Sequence, residues 1–92
     1  MTGEAGRGTV YINWLDVEPL IWAAYWDSDE EGATAPLAEA EHVSADAAVA
    51  WGRERAGRVV VIGRDAQVYW AGSDPMPADV AGSWDSSPPE AR

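Results

Sequence analysis

Apolar and polar positions along the chain sort into four short periodic runs and one longer one. Residues 9–15 (TVYINWL) alternate, with Val10, Ile12 and Trp14 on one parity and Tyr11 and Asn13 on the other. β-Branched and aromatic residues in a period of two predict a strand. Residues 20–26 (LIWAAYW) repeat the pattern after Asp16–Pro19, so the two runs predict a hairpin with Pro19 at the tolerated opening position of its second strand. Residues 58–62 (RVVVI) and 67–71 (QVYWA) predict a second hairpin joined by Gly63–Ala66. The unbroken VVVI suits a strand that is central or covered on both sides.

Residues 44–56 (SADAAVAWGRERA) carry the helical period. Ser44 is an N-cap, because its hydroxyl accepts from a first-turn N–H that lacks a helical partner. Asp46 near the start, and Arg53 and Arg55 near the end, complement the helix dipole. Gly57 supplies a left-handed terminus. Ala45, Ala48, Val49, Gly52 and Ala56 form one stripe at 3/4 spacing, and every member is small. The expectation is a helix lying close to a sheet, with tryptophans filling the space it leaves.

These elements predict an α+β fold: a four-stranded antiparallel sheet in ββαββ order with one helix packed on one face. Residues 37–42 (LAEAEH) suit a fifth strand and equally a helical turn. Alternation then sorts the aromatics. Trp14, Trp22, Trp26 and Trp70 fall with Val10, Ile12, Leu20, Ala24 and Val68 beneath the helix; Tyr11, Ile21, Tyr25 and Tyr69 fall on the open face. Trp51 edges the core. Antiparallel sheets commonly leave one face to water, and this one is unusually aromatic for that role. The expected domain spans 9–72, between a disordered N-terminus (1–8) and a Pro-rich acidic flexible tail (73–92). In the tail only Val80 and Trp84 stand out, as side chains that either dock back or mark a short binding segment.

Composition narrows function. The chain has 92 residues, sixteen acids, six arginines, no lysine and no cysteine, for a formal charge of −10. That excludes a disulfide scaffold, a thiolate zinc site and a cysteine nucleophile. One histidine, His42, is too few for a histidine metal site or a Ser-His-Asp site built by this chain. His42 could be a proton carrier or pH sensor, but a lone histidine before a helix cap is usually structural or exposed. Residues 9–72 hold four arginines against eleven acids, which speaks against direct binding of nucleic acid despite the exposed aromatics. No apolar run is long enough to span a membrane, and no signal peptide is evident, so a cytoplasmic location is expected. Richness in alanine, glycine, arginine and proline implies GC-rich codons, as in a GC-rich bacterium or its phage.

Asp27, Asp29 and Glu31 before Gly32 match the opening of a calcium loop, but its twelfth position is Ala38, where a bidentate glutamate is required. No metal, cofactor or catalytic residue is assigned. Charge is nevertheless uneven. Residues 16–46 hold nine acids, among them Asp27, Asp29, Glu30 and Glu31, and no arginine; residues 53–64 hold Arg53, Arg55, Arg58 and Arg64 against Glu54.

The run EHVSADAAVAWGRERAGRVVVI, following two strands, is similar in layout to the small domain of HicB-like antitoxins, over roughly residues 20–62. The likeness lies in element order, and no functional residue is carried over from it. It implies a strand–helix–strand unit in a small regulatory protein. The sequence thus leads to the expectation of an acidic, non-enzymatic module that inhibits or regulates a basic protein partner. The alternatives are a homo-oligomeric structural or accessory protein, with a possible homodimer through the open sheet face, and a HicB-like antitoxin domain. The residues assigned to contact are Tyr11, Ile21, Tyr25 and Tyr69, the acids 27 and 29–31, and the four arginines 53, 55, 58 and 64.

Overall fold

The computed structural model describes residues 6–15, 21–28 and 35–86. One α-helix and six strands follow in the order β1 (Gly6–Leu15), β2 (Ile21–Asp27), β3 (Ala38–His42), α1 (Ala45–Arg53), β4 (Ala56–Ile62), β5 (Val68–Trp70) and β6 (Gly82–Ser83), with a 3-10 turn at Trp84–Ser86. They form one sheet in the order β3-β2-β1-β4-β5-β6. The α+β class and the single helix stand. The sheet, however, is mixed and six-stranded rather than antiparallel and four-stranded, because β1 pairs in parallel with β4 and β5 in parallel with β6. The expected ββαββ order lacked β3, where the strand reading of 37–42 holds, and β6.

The helix is what makes the central pair parallel. The chain runs through the meander β1–β2–β3, and α1 then carries it back across β2 and β1 to lay β4 beside β1 in the same direction. Ser44 caps α1 as its chemistry requires, its Oγ accepting from the Ala47 N–H at 3.1 Å. The helix ends at Arg53, earlier than the periodicity suggested. Glu54 is a right-handed cap residue, and Ala56 and Gly57 already belong to β4, so Gly57 is no left-handed terminus. Four members of the small stripe, Ala45, Ala48, Val49 and Gly52, are the buried face of the helix, and Ala56 is buried in β4 instead. A Cβ on Gly52 would come within 2.9 Å of Val10 Cγ1, which shows how tightly the helix lies on β1.

Val10, Ile12, Trp22, Ala24, Val59 and Val61 form the core beneath α1, with Trp14, Trp26 and Trp51 packed around it. Gly8 takes a φ of +78° where the β1–β4 register shifts, a backbone turn that glycine adopts without steric cost. The segment after Gly72, read from composition as a flexible tail, carries β6 and the 3-10 turn. Trp84 is 1% exposed and meets Trp22 and Tyr69 edge-on, with ring centroids 6.0 and 5.9 Å away. Arg53 fastens this segment to the helix end: its Nε donates to the Ala71 carbonyl at 2.7 Å and its guanidinium pairs with Asp85 at 3.0 Å.

One assignment of faces is corrected. Tyr69 is 6% exposed and belongs to the core, whereas Trp70 sits on the opposite side of the sheet. The register of the second hairpin decides this. Val61 pairs with Tyr69 and Val60 with Trp70, and Val61 is a core residue. A shift of one position exchanges every side chain between faces.

Candidate functional site

The sheet face turned away from α1 is built of cross-strand rows. One row runs Glu39, Tyr25, Tyr11, Val60, Trp70; the next runs Glu41, Ala23, Asn13, Ile62, Val68. Tyr11 and Tyr25 are directly paired across β1 and β2. Such partners have Cβ atoms about 4.5–5.5 Å apart, so the two phenols form one aromatic strip. Tyr11 is 40% exposed and Tyr25 half-buried. Glu39 and Glu41 are exposed on β3 and border the strip. Between them and Tyr25 lies an open cleft of about 410 Å³, lined by Ala23, Tyr25, Glu39, Ala40 and Glu41.

Asp27 ends β2 beside Thr9, which on its other side pairs with Arg58, so acid and base flank one position of β1. Along the face, then, carboxylates gather on the β2–β3 side, tyrosines occupy the middle and apolar residues follow on β4 and β5. Among the described residues, only the far side is closed over. Trp70 is 8% exposed, and its indole N–H donates to the Asp74 carbonyl at 2.8 Å, because the chain leaving β5 turns back along β4.

Of the residues expected to form a contact surface, Tyr11 and Tyr25 come together and Tyr69 does not. Ile21 opens β2 opposite Leu15, but its side chain, like residues 29–31, lies outside the described residues. The four arginines form no common patch. Arg53 is tied to Ala71 and Asp85. Arg55 lies over the Trp51 ring at 4.1 Å and donates to the Trp51 carbonyl at 2.8 Å. Arg58 donates to the Gly8 carbonyl at 3.4 Å. Arg64 stands over Trp14, 5.8 Å from the ring centre, in the turn at the other end of β4. Four more residues of β4 follow Arg58 before the turn that carries Arg64, which is about 13 Å of strand. Each makes its contacts at a different place.

Glu39 and Glu41 were not among the residues assigned to contact, because in an acidic chain such carboxylate pairs arise by chance. The signal was present in LAEAEH: two acids two apart, which share a face if the segment is a strand. His42 packs on Trp51, with ring centroids 5.9 Å apart. The Asp65 carboxyl is held below its ordinary value of 3.8, chiefly because the Tyr69 hydroxyl donates to it, at 2.5 Å. That hydrogen bond gives the buried phenol an outlet at the turn between β4 and β5. Among the described residues no group of three His, Asp or Glu is arranged to hold a metal, and no helix is long and apolar enough to cross a membrane. No protein-family model, curated protein or solved structure matches the chain.

Proposed function

We propose that the chain is a small acidic binding module, without catalysis of its own, that inhibits or regulates a basic protein partner in a GC-rich bacterium or its phage. The observation that supports this reading is the juxtaposition of Tyr11 and Tyr25 with Glu39 and Glu41 on a sheet face that the helix does not cover. Tyrosine suits such a surface because its ring supplies contact area while its hydroxyl tolerates water. Carboxylates at the border steer a basic partner and reject an acidic one. An antitoxin is one form that such a regulator takes.

The test is recovery of partners from a lysate of a GC-rich host at low and at high salt. The chain is compared with the double variants Tyr11→Ser/Tyr25→Ser and Glu39→Gln/Glu41→Gln. The expected outcome is a basic protein held by the native chain, released by salt and lost with either variant. Recovery that is indifferent to salt and to both variants would refute the reading. Self-association through the tyrosine strip is the competing use of the same face, and sedimentation at micromolar concentration separates the two. A stable dimer lost with Tyr11→Ser/Tyr25→Ser replaces the basic partner by a second copy.

A further inference from the structure

We infer that the partner is taken up as an added strand on the outer edge of β3, through an extended segment whose basic residues are two positions apart. This rests on the reading above and specifies how it is achieved. Among the described residues β3 pairs with β2 alone and forms the border of the sheet. A border strand presents a row of backbone N–H and C=O groups that another extended chain can satisfy. The other border is different in kind. β6 is two residues long and passes directly into the 3-10 turn anchored by Trp84, so it offers no comparable template.

Side-chain chemistry on β3 selects what pairs with it. Glu39 and Glu41 both project from the open face, and the residues of a paired strand that project from that face also recur every second position. Basic side chains at that spacing meet a carboxylate each, within the reach of a cross-strand pair. An arginine stem is long enough to pass over the glutamate row and place its planar head in the cleft beside Tyr25, where ring and carboxylate both attract it.

On the helix side the same edge shows Ala38, Ala40 and His42, all half-buried. Alanines leave room for larger apolar residues at the alternate positions of the incoming segment. Two copies of β3 paired with each other would set glutamates against glutamates, which is destabilising. The edge therefore disfavours its own kind and favours a basic strand.

The probe is a short synthetic peptide alternating arginine with valine, titrated against the full isotopically labelled chain by NMR. A control peptide is N-methylated at alternate backbone nitrogens, which keeps the charge and removes N–H groups needed for pairing. The expected result is movement of the Ala38–His42 amide signals, with binding weakened about tenfold or more by methylation. The exposed double substitution Glu39→Lys/Glu41→Lys is expected to transfer preference to a peptide alternating glutamate with valine, which also shows that the variant is folded. Equal binding of both arginine peptides, with signals moving at Tyr11 and Tyr25 but not at β3, overturns strand addition and leaves the basic-partner reading standing. Absence of binding by either peptide, while the lysate experiment recovers a salt-sensitive basic partner, overturns strand addition alone. If both experiments fail, both proposals fall.

Discussion

On the β5 side of the sheet, the surface opposite the helix is closed: Trp70 is nearly buried, and the chain that follows it supplies the Asp74 carbonyl to its indole. On the β2–β3 side, the same surface shows Tyr11, Tyr25 and two glutamates, with a cleft between Tyr25 and the glutamates. Both halves carry aromatics on this side, so residue type alone does not separate them. Connectivity does. After Trp70 the chain doubles back within four residues and can cover its own indole. The described part of the β2–β3 connection instead leads to β3 in the plane of the sheet, where Leu37 donates its N–H to the Trp26 carbonyl. Among the described residues, the aromatic that the following chain doubles back on is closed intramolecularly, and the pair whose connection stays in the plane of the sheet is not.

Trp84→Ala breaks the closed half most severely. It deletes a fully buried indole from between Trp22 and Tyr69, and a loss of about 3–5 kcal/mol is expected, which is much of a small domain's stability. Urea denaturation followed by circular dichroism reads it. A near-native midpoint would mean that the tail contributes little to the core.

Asp65→Asn acts on the same half more gently. The native carboxyl is held low by the Tyr69 hydroxyl. Its folded value lies below its unfolded value, so its stabilising contribution is complete above about pH 3.8 and is lost as pH falls through the lowered value. The variant is expected to melt at a lower temperature near neutrality and to approach the native chain at strongly acid pH. A constant difference across that range would contradict it.

Tyr11→Ser, on the open half, is expected to change stability least, by about 0.5 kcal/mol or less, as at an exposed surface position. A large loss there would make the tyrosine strip part of the core and remove the contrast between the halves.

Much of the helix face was legible in the sequence. Ser44, the small stripe and the alternation of residues 9–15 and 20–26 place α1, β1, β2 and most of the core, because each depends on local chemistry and a short period. What was not legible depends on pairing across distance. VVVI has no alternation, so nothing local said whether Val60 or Val61 faces the helix, and with that choice went the faces of Tyr69 and Trp70. The parallel β1–β4 pair has no local mark at all. Trp84 stood out as an isolated indole in a Pro-rich run, but its place depends on Trp22 and Tyr69, which lie far from it in the chain. The Glu39/Glu41 border needed the strand reading of 37–42 to be chosen over the helical turn.

The central pair also constrains how the protein is made. Thr9 meets Arg58 and Asn13 meets Ile62, so the middle of the sheet joins segments that leave the ribosome well apart in time. Until β4 emerges, the nascent β1–β2–β3 meander has a bare edge on each side. Such long-range pairing slows folding, and unpaired edges are where incomplete chains stick to one another. A chain stalled before Ile62 therefore carries one more unpaired edge than the finished sheet, along β1, where incomplete chains can associate.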